Sequence, residues 1–196
     1  MTDFNRLIDY AKEKHTGHPF AAFDHVERVH QICMELAKGL EVDEELLRTA
    51  AYLHDIAVPV LGAEKHNEKA LEVAGDFLKE VGFPESKVDA LYEAINTHTR
   101  YYNTVPKSIE AQILKDADGI DYIGVVGILR SVMRSSRSKK YDGNVSEHGV
   151  ALLQSLIDSS KGTFSTEKGK MMAEERMNMV QKYIDRLQDE IQLKVE

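Results

Sequence analysis

Cysteine is almost absent from this sequence: Cys33 is the only one among 196 residues. A single cysteine excludes an intramolecular disulfide and a zinc cluster built from several thiolates, and it fits a reducing compartment. The chain also lacks a run of about 18 apolar residues, so no membrane span is expected. Its N-terminus, MTDFNRLIDY, carries no signal-peptide pattern. We therefore expect a cytoplasmic protein without a membrane partner.

Positive charge is outnumbered by negative charge, with 25 Lys and Arg residues against 33 Asp and Glu residues and a net charge of −8. Phosphate backbones require a positive surface, so nucleic-acid binding is not expected. One segment differs: RSVMRSSRSKK, residues 130–140, has five basic residues in eleven. In a helix, Arg130, Arg134 and Arg137 would share one face. Both a solvated basic loop and a phosphate-facing patch fit this segment.

Proline is rare too, with four residues that fall at predicted boundaries or in loops. Apolar residues recur at helical spacing and strand-type alternation is not sustained, so the predicted class is all-α. We expect one domain over 1–196, a bundle of about seven to eight helices, with the motif-bearing core over about 20–132 and C-terminal helices over about 146–192 packed on it. Residues 138–145 and 159–165 are expected to be loops.

Helix boundaries follow from capping residues and breakers. The first helix is predicted over about 3–14, the fourth over about 66–81 and the last over about 166–192. Asp24 and Asp43 are expected to cap the second and third helices, and Pro59 to stop the third. A sixth helix from Ser108 is expected to continue through Ile123 toward Val132.

Six polar residues interrupt otherwise apolar helix faces. The stretch AAYLHDIAVP, residues 50–59, places a histidine and an aspartate about 100° apart on one helix, so both can point to one spot at its end. A buried carboxylate is costly unless it is paired or binds a metal. The six residues come from five predicted helices, as in a bundle with a metal site in its core: His25, His54, Asp55, His66, His98 and Asp118.

The remaining histidines and aspartates lack this context. We expect four histidines on the surface or in loops: His15, His18, His30 and His148. Of the three neighbouring aspartates Asp116, Asp118 and Asp121, only one needs to face inward.

Imidazole and carboxylate together suit Mn²⁺, Fe²⁺, Co²⁺, Ni²⁺ or Zn²⁺. Two histidines and two carboxylates leave positions open for a substrate oxygen, and a divalent ion there can polarise a phosphoryl oxygen. The sequence contains no HExxH, no Glu-x-x-His pair, no P-loop and no GxGxxG. A purely structural alternative is a buried hydrogen-bonded pair formed by His54 and Asp55.

The ordered set H…HD…D resembles the signature of the HD-domain metal-dependent phosphohydrolases. Its members here are His25 in FDHVERV, His54 and Asp55 in AAYLHDIA, and Asp118 in ILKDADGIDYIG. Together with STEKGKMMAEERMNMVQKYIDRLQDE, these motifs are most similar to the bacterial nucleoside-triphosphate pyrophosphatase branch.

The resemblance implies that His25, His54, Asp55 and Asp118 bind a divalent ion, commonly Mn²⁺, with Fe²⁺, Co²⁺, Ni²⁺, Zn²⁺ or Mg²⁺ as alternatives. It implies a small-molecule nucleotide substrate, a nucleoside or deoxynucleoside triphosphate, split into monophosphate and pyrophosphate.

Two departures from that branch are present. An Asp and a Lys usually follow the HD pair, where this chain has Ile56-Ala57-Val58-Pro59, and a His-Asp usually precedes the first ligand, where it has Pro19-Phe20-Ala21-Ala22-Phe23. EKHNEKA and INTHT are partly similar to a second branch, in which two further histidines hold a second metal. In that branch the substrate can be a dinucleoside polyphosphate. His66 and His98 would fill this role, although one metal is favoured here.

The remaining expectations concern the substrate. Lys115, Arg28, Arg130 and Arg134 are candidates to neutralise its phosphates, and guanidinium suits phosphate because its fork matches the oxygens. Asp55, His98 and Asp121 are the candidate catalytic residues. A non-catalytic nucleotide-binding module is an alternative function, and the long methionine-bearing C-terminal helix can pack on the bundle or on a second subunit of a homo-oligomer.

Overall fold

A computed structural model of the protein describes residues 1–18, 22–99, 104–136 and 144–193. These residues form helices joined by turns, with no β-strand among them, which confirms the all-α class. No helix in the described ranges is both long and apolar enough to cross a membrane. The chain divides into two compact units, Met1–Asp118 and Gly119–Glu196.

The helices of the first unit are α1 Phe4–His15, α2 Phe23–Ala37, α3 Glu44–Leu53, α4 Val58–Leu61, α5 His66–Glu80, α6 Val88–Thr97 and α7 Ile109–Asp121, and the last of these runs into the second unit. A 3₁₀ turn at Glu85–Lys87 precedes α6. Helix α3 packs against α1, α2 and α6, while α5 packs against α4 and α6. The core is formed by fully buried aliphatic side chains that include Leu7, Leu47, Leu53 and Ile95.

The second unit has its own core. Its helices are α8 Gly124–Ser135, α9 Val150–Asp158 and α10 Glu167–Ile191, and a π-helical turn at Val145–Gly149 leads into α9. Helix α10 packs against α8 and α9. The buried apolar cluster consists of Ile128, Leu153, Leu156, Ile157, Val180 and Ile184.

Most predicted boundaries are close to the observed ones. Side-chain caps begin three helices: Asp3 accepts from the Arg6 amide, Asp43 from the Leu46 amide and Thr166 from the Gly169 amide. Helices α1, α5 and α10 match the predicted ranges, and 159–165 is a loop as predicted. Most of the other predicted loop, residues 138–143, and Arg137 lie outside the described residues.

The predicted cap of the second helix is wrong. Helix α2 begins at Phe23, and its N-cap residue, Ala22, makes no side-chain capping bond. Asp24 lies within the first turn instead, where its carboxylate accepts a hydrogen bond from Arg28 at 2.7 Å. The Asp24 carboxylate, which the prediction assigned to the helix cap, instead pairs with Arg28 one turn along the helix.

The third helix also ends earlier than predicted. It stops at Leu53, and the next turn is tightened by bonds from the Ile56 amide to the Leu53 carbonyl and from the Val58 amide to the Asp55 carbonyl. Pro59 does not stop this helix but lies in the first turn of α4, where its missing N–H is not needed. His54 and Asp55 thus lie just beyond a helix end.

The sixth predicted helix does not continue toward Val132. Bonds from the Tyr122 amide to the Gly119 carbonyl and from the Ile123 amide to the Ile120 carbonyl close α7, and α8 begins at Gly124. Gly124 has φ +77°, a left-handed conformation that glycine adopts without a steric penalty. The apolar periodicity continues across this break, so periodicity alone does not detect it.

Glu45, on α3, joins the start of the chain to the 3₁₀ turn before α6. Its Oε1 accepts hydrogen bonds from the amide and hydroxyl of Thr2, both at 2.9 Å, and its Oε2 accepts one from Lys87 at 2.8 Å. Lys87 also donates to Asp43 at 3.0 Å. These bonds, that from Lys87 above all, lower the pKa of Glu45 from 4.5 to about 2.

Replacing Glu45 by Gln tests this network. Because the folded state lowers the pKa of Glu45, its contribution to stability is complete above pH 4.5 and is lost as the pH falls toward 2. We expect E45Q to lower the free energy of unfolding by about 1.5–3 kcal/mol at pH 7, since hydrogen bonds to charged groups contribute about this much. Urea unfolding at pH 7, 5 and 3 measures it.

The matched control is Glu44→Gln, in the exposed part of the same first turn, which should change stability little at any pH. A difference between E45Q and wild type that stays constant from pH 7 to pH 3 would contradict the assignment.

Candidate metal centre

The structure brings together all six polar residues that interrupt the predicted apolar faces. Each lies in the first unit, and none is more than 9% exposed. Five helices contribute, mostly through their ends: His25 lies in the first turn of α2, His54 and Asp55 follow α3, His66 begins α5, His98 follows α6 and Asp118 lies in α7.

The first cluster comprises His25, His54, Asp55 and Asp118. The Nε2 atoms of the two histidines are 3.4 Å apart. The Oδ1 of Asp118 lies 3.3 Å from His25 Nε2 and 3.9 Å from His54 Nε2. The Oδ2 of Asp55 is 3.7 Å from the Nε2 of each histidine. Four ligand atoms therefore face one point.

The second cluster uses the other oxygen of the same aspartate. The Oδ1 of Asp55 lies 3.1 Å from His66 Nε2 and 3.7 Å from His98 Nε2. The Nε2 atoms of His66 and His98 are 3.3 Å apart. Asp55 thus presents one carboxylate oxygen to each cluster, and both sets of three, His25/His54/Asp55 and Asp55/His66/His98, have the spacing of metal ligands.

Backbone carbonyls hold three of the four imidazole rings. In each case Nδ1 lies next to the carbonyl oxygen three residues earlier, so that Nδ1–H donates and Nε2 is left to bind a metal. The pairs are His54 with Ala51 at 2.8 Å, His66 with Ala63 at 2.9 Å and His98 with Ile95 at 2.5 Å.

The protonation states of the first cluster also fit a metal. Burial would raise the pKa of Asp55, but the surrounding His54, His66 and His98 hold it well below its usual range, and His25 lowers that of Asp118 in the same way. Burial lowers the pKa of His54 to about 4, so this ring is neutral at pH 7. Contact with Asp55 outweighs burial and raises the pKa of His66. Ionised carboxylates and neutral imidazole are the forms that bind metals.

The donor set therefore fits a divalent ion. Two buried carboxylates lie among histidines, at least one of which is neutral, and a bound cation would balance their charge. Nitrogen and oxygen ligands without thiolate suit Mn²⁺ and its neighbours from Fe²⁺ to Zn²⁺. Asp55 and the histidines around it can hold such an ion.

The predicted phosphate-binding residues have different surroundings. Lys115 lies one turn before Asp118 on α7, and its ammonium donates to the Thr104 carbonyl at 2.8 Å. Burial lowers the pKa of this half-buried side chain. Arg28, on α2, is paired with Asp24 at 2.7 Å. Their role toward a substrate stays a prediction.

The other predicted substrate contacts lie in the second unit. There, Arg130 forms an ion pair with the fully buried Asp121 and its guanidinium lies 4.5 Å from the centre of the Tyr122 ring. Arg134 is an exposed residue of α8. The catalytic role of Asp121 and the phosphate-binding roles of both arginines stay predictions.

All three neighbouring aspartates of α7 are buried, because this helix is enclosed on all sides over 116–121. The expectation that His15 lies on the surface is wrong, since this residue is only 1% exposed. The signal for His15 is present in the sequence, since Leu7 and Ala11 precede it at intervals of four residues on the buried face of α1.

The three other histidines without a predicted role have different degrees of exposure. His148 is exposed, and His18 is partly exposed. His30 is half-buried, and its ring stacks on Tyr52 with centroids 4.6 Å apart. Burial, helped by nearby Arg48, lowers the pKa of His30 to about 4.

Comparison with known families and proteins gives consistent matches. The sequence profile of the HD domain matches residues 22–123, which span the six site residues. The chain is 25% identical over 187 residues to YpgQ from Bacillus subtilis (strain 168), covering 91% of this chain and 87% of YpgQ.

Two solved structures extend the comparison. A predicted HD superfamily hydrolase from an uncultured Thermotogales bacterium is 28% identical, with a TM-score of 0.70 over 96% of this chain and 93% of that one. Bacillus subtilis YpgQ in complex with ADP is 24% identical, with a TM-score of 0.72 over 95% of this chain and 93% of that one. At that identity, the likeness to YpgQ shows the fold.

Asp55→Asn tests the shared carboxylate. We expect this variant to bind Mn²⁺ at least about 100-fold more weakly than wild type, because even residues that only support ligands contribute about 10–100-fold. Wild type should gain about 2.7 kcal/mol of stability at an Mn²⁺ concentration of 100 times the dissociation constant, and D55N should gain almost none. Elemental analysis after gel filtration and thermal unfolding with and without Mn²⁺ measure both.

Asp76→Asn is the matched control, because Asp76 lies on α5 with its side chain 99% exposed. D76N should bind Mn²⁺ as wild type does. Equal Mn²⁺ binding by D55N and wild type would contradict the assignment of Asp55 as a ligand.

Proposed function

Since the chain belongs to the HD domain family and is a metal-dependent hydrolase, we propose that it converts nucleoside or deoxynucleoside triphosphates into monophosphate and pyrophosphate. The observation that carries the proposal is the buried cluster of four histidines and two aspartates, in which every described ligand atom is an imidazole nitrogen or a carboxylate oxygen. Such a donor set is suited to phosphoryl chemistry.

A nucleotide substrate is supported by two observations. The chain shares its fold with Bacillus subtilis YpgQ, whose structure holds ADP. The motifs around His54 and Asp118 are most similar to those of nucleoside-triphosphate pyrophosphatases. Both point to a substrate with a nucleoside and a chain of phosphates.

The metal-binding residues of the proposed site are His25, His54, Asp55 and Asp118, with Mn²⁺ as the proposed ion. When bound, a divalent ion polarises a phosphoryl oxygen and lowers the pKa of water. The chain's own contribution is to fix the rings through backbone carbonyls, to keep Asp55 ionised and to keep His54 neutral at pH 7.

Lys115 is the proposed phosphate ligand of the first unit. Its single described hydrogen bond, to Thr104, uses one of the three N–H donors of an ammonium group. It precedes Asp118 by one helical turn, so its charge lies on the helix that carries a metal ligand. Arg28 is proposed as a weaker contributor, because it is already paired with Asp24. The phosphate-binding roles of Arg130 and Arg134, which lie in the second unit, stay predictions.

One observation favours a second candidate function. His66, His98 and Oδ1 of Asp55 form a further set of ligands beside the first. Two ions sharing a carboxylate can hold both the attacking and the leaving oxygen of an in-line displacement. The second candidate is therefore a two-metal hydrolase of dinucleoside polyphosphates or nucleoside monophosphates, in which His98 acts as a ligand rather than as a catalytic proton carrier.

The identity of the products separates these functions. We expect purified protein with Mn²⁺ to convert nucleoside or deoxynucleoside triphosphates into monophosphate and pyrophosphate, resolved by phosphorus NMR. His54→Ala should lower kcat/KM by at least about 100-fold, because metal chemistry contributes several kcal/mol to the rate. D76N is again the control and should keep wild-type activity.

Orthophosphate from a monophosphate, or cleavage of a dinucleoside polyphosphate only, would replace the first proposal by the second. Nucleotide binding without turnover of any of these substrates would contradict both and favour a non-catalytic nucleotide-binding module.

A further inference from the structure

Asn67 is a buried amide immediately after His66. It is 2% exposed and lies in the first turn of α5. Its Nδ2 donates to the main-chain oxygen of Asn96 at 2.8 Å and to the Oδ1 of Asn96 at 3.0 Å. One side chain therefore ties the beginning of α5 to the end of α6.

This contact lies directly beside the second cluster. Asn67 follows His66 by one residue, and Asn96 precedes His98 by two. The two histidines are the only second-cluster ligands besides Asp55 among the described residues, and their Nε2 atoms are 3.3 Å apart. Any sliding or separation of α5 and α6 would change that distance.

Apart from the shared Asp55, the first cluster has no such dependence. Its residues come from α2, the turn after α3, and α7, and none comes from α5 or α6. A change in how α5 meets α6 should therefore disturb the second set of ligands and spare the first.

Burying the Asn67 side chain costs free energy, because one of its polar atoms has no partner among the described residues. Within the described ranges, Asn67 Oδ1 is buried and has no hydrogen-bond partner. A buried acceptor without a partner loses its hydrogen bond to water without replacement, which destabilises the folded state. The two bonds that Nδ2 donates to Asn96 are therefore the interactions that can offset burial of this polar side chain.

We propose that Asn67 is a positioning residue that, through Asn96, holds His66 and His98 at the spacing required for a second divalent ion. This inference rests on the second set of ligands in the proposed function. Asn67 acts on the ion only through the helices, since it supplies no ligand atom itself.

A pair of nearly isosteric variants tests the proposal. In Asn67→Asp the carboxylate can only accept, so the bond to the Asn96 carbonyl is lost. In Asn96→Asp the Asn67 amide keeps both acceptors. Each variant adds one negative charge close to the histidines, so an equal effect in both would report the charge rather than the lost donor.

Binding is measured with Mn²⁺ alone, without nucleotide. Isothermal titration gives the number of ions and the affinity of each, and EPR distinguishes an isolated Mn²⁺ from two ions that share a carboxylate. We expect N67D to bind the second ion about 10–100-fold more weakly, the usual effect of residues that support ligands, and to bind the first ion as wild type does. N96D should retain both ions and the coupled spectrum.

Tyr10→Phe controls for a general loss of stability, because it removes a hydrogen bond of 3.0 Å from α1 to the Val73 carbonyl in the middle of α5. It should keep both ions even if its melting temperature falls. If N67D does not fold, Asn67→Ser, whose hydroxyl is too short to reach both acceptors, is expected to lose the second ion in the same way.

Three results would overturn the proposal: unchanged affinity for the second ion in N67D, equal loss in N67D and N96D, or a wild type that binds a single ion. The last of these would leave hydrolysis of triphosphates untouched, because product analysis decides that function independently of the number of ions.

Discussion

The carboxylate of Asp55 is the group on which the site depends. One oxygen faces His25 and His54, and the other faces His66 and His98. Burial raises the pKa of this carboxyl group, and the four surrounding imidazoles lower it and so keep the group ionised. A buried anion in a helical core is stable only with such partners or with a cation. Four helices supply these histidines through their ends: α2 and α5 at their beginnings, and α3 and α6 just after their last residues.

Helix ends supply the required geometry. The last carbonyls of an α-helix have no partner within the helix, and two of them serve the site: the Ala51 carbonyl accepts from His54 and the Ile95 carbonyl accepts from His98. The same bonds complete the ends of α3 and α6 and fix the tautomer of each ring. Because α3 ends at Leu53 rather than at Pro59, the adjacent side chains of His54 and Asp55 can both face the site.

The sequence is sufficient to predict the helical class and the six histidines and aspartates of the site, because both depend on a spacing of 3.6 residues. It does not reveal the end of α3, the break before Gly124 or the use of Asp24, since these depend on local hydrogen bonds that compete with the pattern. Nor does it reveal that α7 is enclosed on all sides, which follows from where that helix packs.

The spacing of residues in the sequence also cannot predict how many sets of possible metal ligands the fold brings together. His66 and His98 are 11 and 43 residues from Asp55 in sequence, yet both lie within 3.7 Å of its Oδ1. Likewise, the contact of Asn67 with Asn96 spans 29 residues. Such contacts depend on how α5 packs against α6, so the spacing in the sequence does not show that Asp55 faces a second set of possible ligands.

The most direct test of the shared carboxylate is a crystal structure of the Mn²⁺-loaded protein with anomalous diffraction measured near the manganese edge. We predict two anomalous peaks, one beside each oxygen of Asp55, with His25, His54 and Asp118 around the first and His66 and His98 around the second. A single peak surrounded by the first set of residues alone, with His66 and His98 away from any ion, would contradict the account of Asp55 as a shared carboxylate.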